Sequence, residues 1–391
     1  MRRCTLCTLP ETHETITFDD EGVCSVCKNA RVKDEIDWES RLNDLMLIAD
    51  GYRGKKDYDC IIPFSGGKDS TWTLFYVVKV LKLKPLVVTF DHGFYRPKLL
   101  KNREKTFQKL GVDSLVFTPN WKLVRKVMLQ SFIDKGDFCW HCHTGIFSYP
   151  MQIAIEKGIE LVIWGEPSSE YTSYYDYSNI EEVDEERFNR IINLGISAED
   201  MFIRLDGEFD ERDFKPFSYP SLSELSKNNT KSIPLGSYIP WDVKKQVEVI
   251  STELDWEGDE VEGVPPGFDY EKIECYMQGV RDYIKFIKRG YARTTHLTSI
   301  DIRNGRMQRP EAIKLIENFE GTKPFALDLF LEITGLNLEE FMTIALRHKI
   351  DETPTSNLLK IGKKPKDFDL WIRKEGIPPE EKSAIMHRTN M

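Results

Sequence analysis

From about residue 38 to residue 235, short apolar runs alternate with longer stretches in which apolar residues recur every three or four positions. The short runs predict strands at 59–64, 86–90, 114–118, 160–164 and 231–235. The longer stretches predict helices at 38–50, 71–81, 98–110, 121–135 and 145–157. This alternation predicts an α/β fold: a doubly wound, parallel, five-stranded sheet with helices on both faces and ligands at the carboxyl ends of its strands.

The pattern divides the chain into three expected regions. Residues 1–30 form a small cysteine-containing element, residues 31–250 form the α/β domain, and residues 251–391 form a mainly helical substrate or partner region. Residues 168–230 break the α/β rhythm and are expected to be an insertion over the ligand edge. A tyrosine cluster in it either binds a sugar or base or packs the insertion onto the domain: Tyr171, Tyr174, Tyr175 and Tyr177.

The first region contains two Cys-x-x-Cys pairs, Cys4 with Cys7 and Cys24 with Cys27, separated by sixteen residues. Each such turn presents two sulfurs to one tetrahedral ion, so the spacing predicts a four-thiolate zinc ribbon. Four protein ligands leave no open position on the ion. We therefore expect Zn²⁺ to be structural, with redox use of the thiols or chance spacing as the alternatives.

Composition narrows the classes of function. The formal charge of −10 argues against broad nucleic-acid binding, which depends on many Lys and Arg contacts to phosphates. The chain contains no apolar stretch of signal-peptide or membrane-spanning length, so we expect a cytoplasmic protein without membrane contact. In that reducing compartment the eight cysteines are better explained as metal ligands, catalytic thiols or core residues than as disulfides.

A phosphate-binding loop is predicted directly after the first strand, where residues 65–70 read Ser-Gly-Gly-Lys-Asp-Ser. Two glycines let the backbone approach a polyphosphate, and Lys68, two hydroxyls and the following helix N-terminus attract its charge. The loop differs from Walker A, because its glycines are adjacent and Asp69 separates Lys68 from Ser70. Asp69 would repel phosphate unless a divalent cation lay between them.

This hexapeptide resembles the PP-loop of the ATP pyrophosphatases, a superfamily that includes the synthetase domains of asparagine and GMP synthetases and the tRNA thiolation and lysidine enzymes. The resemblance implies that ATP is split between its α and β phosphates while an acceptor oxygen is adenylylated. It implies that the loop holds ATP and the departing pyrophosphate through Ser65, Gly66, Gly67, Lys68, Asp69 and Ser70. Lys68, Asp69 and Ser70 are the implied catalytic residues.

The same resemblance extends the nucleotide site to the ends of the second and fourth strands. It implies cofactor-binding roles for Phe90, Asp91, His92, Gly165 and Glu166. Asp69 and Glu166 are candidate Mg²⁺ ligands, since carboxylate oxygens suit a hard cation. Without the resemblance, Asp91 and His92 fit a solvated loop equally well.

Two further features bear on the acceptor. Cys139 and Cys142, in the sequence Cys-Trp-His-Cys-His, belong to a metal site with His141 or His143, shape a pocket, or are structural. Basic residues are concentrated beyond residue 267: Lys285, Lys288, Arg289, Arg293, His296, Arg303, Arg306 and Arg309. They indicate a local anion site, whose ligand would be RNA, a nucleotide-sugar diphosphate or an acidic partner. The alternative is a solvated helix face.

Four further motifs accompany the N-terminal cysteines, the loop and the Cys139–Cys142 pair: Trp-Gly-Glu at 164–166, Ile-Pro-Leu at 233–235, and basic stretches at 288–296 and 302–312. This combination resembles the N-acetyl sugar amidotransferases of bacterial surface-polysaccharide and flagellin-sugar biosynthesis. The resemblance covers almost the whole chain. It implies conversion of an acetamido group on a nucleotide-activated sugar to an acetamidino group, releasing AMP and pyrophosphate. Arg293, Arg303 and Arg309 are its candidate substrate-binding residues.

Ammonia must come from elsewhere, because the chain has no Gly-x-Cys-x-Gly nucleophile elbow and residue 2 is Arg, which excludes an N-terminal cysteine glutaminase. The resemblance implies a separate glutaminase with a cyclase-like companion. Two alternatives stay open: a tRNA-modifying adenylating enzyme of the thiolation or lysidine type, and a non-catalytic zinc-ribbon scaffold.

Overall fold

The computed structural model describes residues 1–170, 180 and 188–350. In this part of the chain one parallel sheet has the strand order β3-β2-β1-β4-β5. The strands are β1 Cys60–Pro63, β2 Pro85–Phe90, β3 Asp113–Phe117, β4 Leu161–Trp164 and β5 Lys231–Pro234. The predicted doubly wound, five-stranded parallel sheet is confirmed, with strand boundaries that differ by one residue at most ends.

Helices connect and flank these strands. In the first half of the chain they are α1 Ser25–Val32, α2 Trp38–Tyr52, α3 Lys68–Lys79, α4 Pro97–Leu110, α5 Trp121–Lys135 and α6 Trp140–Glu156. In the second half they are α7 Ala198–Arg204, α8 Leu222–Lys227, α9 Val243–Leu254, α10 Gln278–Arg289, α11 Arg293–Arg303, α12 Arg309–Phe319, α13 Ala326–Thr334 and α14 Leu338–Arg347. Short helical turns lie at Lys33–Glu35, Ser168–Glu170, Phe188–Ile192, Glu211–Phe217 and Leu235–Ser237.

Successive residues of β1 face opposite layers of helices, as the pleat of a strand requires. Ile62 packs with apolar residues of α2, α3, α4 and α9, whereas Ile61 packs with residues of α6. The strand is buried on both faces because helices cover both sides. Its near-continuous apolar sequence therefore predicted a central strand correctly.

Two helices begin three or more residues earlier than their apolar periodicity predicts. Helix α3 begins at Lys68 instead of residue 71, and α6 begins at Trp140 instead of residue 145. The first turn of each helix is rich in polar side chains, so an apolar repeat does not mark it. The early starts place Lys68 and Asp69 in the first turn of α3, and Cys142 in the first turn of α6.

The C-terminal helices share a core with the α/β domain. Val280 and Ile287 of α10, Phe330 of α13 and Phe341 of α14 pack in one apolar cluster with residues of α5, including Phe132. Helix α9 runs through residue 250, where the domain boundary was predicted, and packs on α3. This shared packing fixes α10 against the α/β domain.

The described part of the insertion covers one end of the sheet. Phe214 and Phe217 pack with Phe90 of β2 and Trp140 of α6. The tyrosine cluster at 171–177 lies outside the described residues. Among the residues that the structure describes, none of the helices combines the length and apolar character needed to cross a bilayer.

Gly145 of α6 is predicted to be intolerant of a larger side chain. A Cβ at this position would lie 2.3 Å from Cζ of Phe90. Gly145→Ala should therefore lower the free energy of unfolding by about 1–3 kcal/mol through overpacking, measured by urea denaturation. Gly51→Ala in α2 is the matched control: its Cβ meets nothing within 4 Å, so helix propensity should raise stability by up to about 1 kcal/mol. Equal stability of Gly145→Ala and wild type would contradict this packing.

Candidate active site

The strand order places a crevice between β1 and β4. The chain proceeds from β1 to β2 and β3 on one side, and then returns to β4 and β5 on the other side of β1. In open α/β sheets ligands bind at such a switch point, outside the carboxyl ends of the strands. The loop 65–67 follows β1, and Gly165 and Glu166 follow β4, so the structure brings these predicted residues to the same crevice.

The loop after β1 is a tight turn closed by its own hydroxyls. Gly66 has φ of +86°, a conformation that glycine adopts without steric cost. The Ser70 Oγ accepts from the backbone N–H of Gly66 at 3.1 Å and of Ser65 at 3.3 Å, and the Ser65 Oγ accepts from the N–H of Gly67 at 3.3 Å. Successive N–H groups therefore converge on one small region, as in a backbone nest for an anion.

Lys68 opens helix α3 and is held by two carboxylates. Its Nζ lies 2.7 Å from Oδ2 of Asp69 and 2.9 Å from Oε2 of Glu271, and its side chain is only 6% exposed. Burial by itself would raise the pKa of Glu271, yet Lys68 and Arg293 lower it to about 2. A fixed positive charge thus stands at a helix N-terminus, where polyphosphate is favoured.

A third carboxylate, that of Glu166, lies near Lys68 and Asp69. Burial, followed by the charge of Asp69, raises the pKa of Glu166 to about 7. Gly165 permits the close approach, since a Cβ there would lie 3.0 Å from Oγ1 of Thr73 and 3.4 Å from the carbonyl oxygen of Asp69. The second oxygen of Asp69, Oδ1, is buried without a hydrogen-bond partner in the described part of the chain.

These features fit a divalent cation. A buried carboxylate oxygen without a donor is costly, and two neighbouring carboxylates repel each other when both are ionised. Mg²⁺ prefers carboxylate oxygens together with substrate phosphates. The residues that would hold the ion are Asp69 and Glu166, beside the loop that follows β1.

The predicted residues at the end of β2 have a different character. The Phe90 side chain is 2% exposed and packs against Phe117 and Phe217, so it belongs to the core. Asp91 and His92 are buried in a tight turn, where Oδ1 of Asp91 accepts from the N–H of Gly93 at 2.9 Å. The alternative of a solvated loop is therefore wrong for these two residues.

The three arginines predicted to bind substrate lie in separate environments. Arg293 forms ion pairs with Glu271 at 3.4 Å and Asp282 at 3.5 Å, which connects it to Lys68. Arg303 donates to the carbonyl oxygen of Glu170 at 3.3 Å, beyond β4. Arg309 instead donates to the carbonyl oxygens of Cys4 and Cys7. Its guanidinium braces the N-terminal cysteine element.

The four cysteines of that element form a compact cluster. Their sulfurs lie within 4.8 Å of one another, with Cys4 Sγ 3.9 Å from Cys27 Sγ and Cys7 Sγ 3.8 Å from Cys24 Sγ. Tetrahedral thiolates at a Zn–S distance of about 2.3 Å would be separated by about 3.8 Å. The cluster could therefore bind zinc, and it is consistent with the predicted ribbon.

Helix α11 holds this element in place. The Thr8 Oγ1 lies 2.7 Å from the Ser299 Oγ, and the Thr8 N–H donates to the same oxygen at 3.3 Å. Ile302 packs against the buried cysteines. These contacts fix the cysteine element against α11.

Around the second cysteine pair the structure adds a residue that the sequence did not group with it. Cys142 and Cys275 both pack against the cluster that contains Cys139, and all three are free thiols. Burial raises the pKa of each thiol. Burial therefore disfavours the thiolate form on which the reactivity of a cysteine depends.

The residues that sequence reasoning missed come from the segment 271–274. Besides Glu271, the Glu274 carboxylate approaches the loop so closely that a Cβ on Gly67 would lie 3.0 Å from its Oε2. Lys272 between them has φ of +53°, which is uncommon for a residue with a side chain. The only local signal was a run of alternating charge directly after the turn at 265–267.

Comparisons with known proteins bear on this same segment. Residues 268–366 match the family described as "LPS biosynthesis protein WbpG-like, C-terminal domain". The chain is also 24% identical over 168 residues to an uncharacterized protein of Methanocaldococcus jannaschii, an alignment that covers 42% of this chain and 58% of that protein. The family match supports the resemblance to lipopolysaccharide-biosynthesis proteins and suggests a sugar-modifying biosynthetic role.

Zinc content tests the cysteine cluster. Purified protein should contain about one zinc per chain by elemental analysis, as a four-thiolate site requires. Cys24→Ser should lose most of this zinc and melt at a lower temperature, because small metal elements fold with their ion. Cys142→Ser, outside the cluster, is the control and should keep its zinc. Full zinc content in Cys24→Ser would contradict the assignment.

The pKa of Glu166 predicts a pH-dependent stability. Because the folded state raises this pKa from 4.5 to about 7, ionisation of Glu166 destabilises folding progressively as the pH rises through that interval. In a chelating buffer, Glu166→Gln should change stability little at pH 4.5 and increase it on the order of 1–3 kcal/mol at pH 8. The exposed Glu317→Gln is the control. An equal effect of Glu166→Gln at both pH values would refute the assignment.

Proposed function

We propose that the protein is an ATP-dependent N-acetyl sugar amidotransferase of lipopolysaccharide O-antigen biosynthesis. Its substrate is an acetamido group of a nucleotide-activated sugar, which becomes an acetamidino group. The amide oxygen attacks the α phosphate of ATP, so that an O-adenylyl imidate forms and pyrophosphate leaves. Ammonia then adds to the imidate carbon and AMP departs.

One observation carries the proposal. Glu271, in the segment that matches the lipopolysaccharide-biosynthesis family, makes a buried ion pair with Lys68 of the phosphate-binding loop at 2.9 Å. The segment that matches the lipopolysaccharide-biosynthesis family therefore contacts the loop that is proposed to bind ATP. Adenylylation of a sugar amide requires this proximity, because the acceptor oxygen must reach the α phosphate.

The proposed roles follow from electrostatics. An amide carbon is a poor electrophile, and adenylylation converts its oxygen into a good leaving group. Lys68 and the N-terminus of α3 neutralise charge that develops on the departing pyrophosphate. Mg²⁺ held by Asp69 and Glu166 would supply further charge neutralisation on the phosphates. Acyl transfer to a side chain is not needed.

Ammonia is proposed to come from a separate glutaminase with a cyclase-like companion. The proposal rests on the absence of a glutaminase nucleophile motif in the sequence and on the family resemblance. A nucleotide sugar and this ammonia supplier are thus the proposed partners, and nucleic acid is not among them.

A second candidate function is tRNA modification by adenylation. The observation that favours it is the position of Cys275, which adds a third thiol to Cys139 and Cys142. Thiolation enzymes of the PP-loop superfamily use cysteines in such a neighbourhood. Its weakness is the formal charge of −10, because tRNA binding needs many cationic contacts and weakens steeply with salt.

The assay for the proposed function combines ATP, Mg²⁺ and ammonium with a panel of diacetamido nucleotide sugars. Mass spectrometry should detect replacement of one oxygen by NH in the sugar, and AMP should form in equal amount. Lys68→Ala and Asp69→Asn should reduce AMP formation by at least about 100-fold, while zinc content stays at the wild-type level. Arg212→Gln, an exposed charge change, is the control for activity.

The products of the ATP reaction distinguish the proposed function from its alternatives. ADP and orthophosphate as products, or wild-type turnover in both loop variants, would overturn the proposed chemistry. Pyrophosphate release that depends on tRNA and falls with salt would favour the second candidate. Absence of pyrophosphate release with every acceptor would favour a non-catalytic scaffold.

A further inference from the structure

A cavity of about 100 Å³ lies between α10, the first residue of α11 and the connection from α5 to α6. Four cations and two carboxylates form its charged lining: Arg281, Lys285, Lys288, Arg293, Asp137 and Asp282. Because one buried water needs roughly 10–15 Å³, the cavity has room for a polyatomic group. A whole nucleotide sugar would not fit.

Two buried atoms of this lining have no hydrogen-bond partner within the described part of the chain. They are Oδ2 of Asp282, whose residue is 6% exposed, and Nε of Arg293. Buried polar groups without partners are costly, and each calls for a specific explanation. One is an acceptor and the other is a donor, so a ligand that carries both an anionic oxygen and a hydroxyl would satisfy both.

Positive charge is crowded around the cavity. The Lys285 Nζ lies 2.8 Å from Nε2 of His296 and 4.5 Å from the centre of the Tyr291 ring. Burial, together with Arg293 and Arg281, lowers the pKa of Lys285 to about 8 despite the opposing carboxylate of Glu14. Within the lining itself four cations face two carboxylates, while Glu14 and Glu271 approach Lys285 and Arg293 from outside it.

The cavity is connected to the phosphate-binding loop by ion pairs. Arg293 lines the cavity and contacts Asp282 at 3.5 Å, and its other guanidinium nitrogen contacts Glu271 at 3.4 Å. Glu271 in turn contacts Lys68. A continuous chain of ion pairs therefore links the lining of the cavity to Lys68.

We propose that this cavity binds an oxyanion of the sugar substrate, either a phosphate of its nucleotide or a carboxylate of the sugar. The inference rests on the proposed function, whose substrate it describes more closely. Arg281 and Arg293 present planar guanidinium groups that match phosphate and carboxylate oxygens. Lys285 and Lys288 supply point charges, and Asp282 accepts from a hydroxyl of the ligand.

Equilibrium binding without ATP tests the inference. Isothermal titration calorimetry uses two probes, UDP-N-acetylglucosamine, which has phosphates and no carboxylate, and N-acetylneuraminic acid, which has a carboxylate and no phosphate. Lys285→Gln and Lys288→Gln should each weaken the bound probe roughly tenfold or more, as expected for loss of a charged hydrogen bond. Lys245→Gln, 82% exposed on α9, is the matched control and should bind as wild type does.

The two probes distinguish a phosphate ligand from a carboxylate ligand. Weakened binding of UDP-N-acetylglucosamine supports a phosphate ligand, and weakened binding of N-acetylneuraminic acid supports a carboxylate ligand. Lys288 also donates to the carbonyl oxygens of Lys135 and Gly136, so melting curves must accompany every titration. Two folded variants that bind both probes as tightly as the wild type, or a wild-type protein that binds neither probe, would overturn the inference.

The proposed function and this inference fail separately. The proposed function is tested by AMP formation and by the mass of the sugar product. The inference about the cavity is tested by binding of the two probes in the absence of ATP. A protein that binds an oxyanion through Lys285 and Lys288 but releases ADP would retain the cavity and lose the amidotransferase proposal.

Discussion

A buried chain of ion pairs from Lys68 through Glu271 to Arg293 is the interaction on which the arrangement of this protein depends. It joins the loop of the α/β domain to the C-terminal helices across about 200 residues of sequence. Removing one partner would strand a buried charge, which typically costs roughly 3–5 kcal/mol. The position of the C-terminal region relative to the loop is therefore specified electrostatically as well as by the apolar packing of α10 on α5.

The loop itself depends on the topology of the sheet. Because β1 and β4 are neighbours whose following connections diverge, the carboxyl ends of these two strands form the switch-point crevice, against which the segment 271–274 packs. Lys68 enters this crevice from α3, and Glu166 enters it from the end of β4. Asp69 and Glu166 therefore lie near Lys68, and burial together with the charge of Asp69 raises the pKa of Glu166.

The N-terminal cysteine element shows how a small unit can support a larger site. It has too few apolar residues for a core of its own, so its cysteines and its contacts with α11 must hold it together. Arg309 donates to two of its carbonyl oxygens, and Thr8 bonds to Ser299. Since α11 also carries Arg293 at its start, the element helps to position an arginine of the ion-pair chain.

The alternation of strands and helices, the spacing of the four cysteines and the position of the Ser-Gly-Gly-Lys-Asp-Ser loop after β1 could be predicted from the sequence, because each depends on residues close together along the chain. Tertiary structure alone decided that Glu271 meets Lys68, that Cys275 joins Cys142, and that Arg293, Arg303 and Arg309 separate into three environments. A basic residue on a helix has the same local pattern whether it faces a ligand, a carbonyl group or a carboxylate. The partner of such a residue depends on how elements that are distant in the sequence pack together. That packing produces no periodic pattern of residues from which the partner could be predicted.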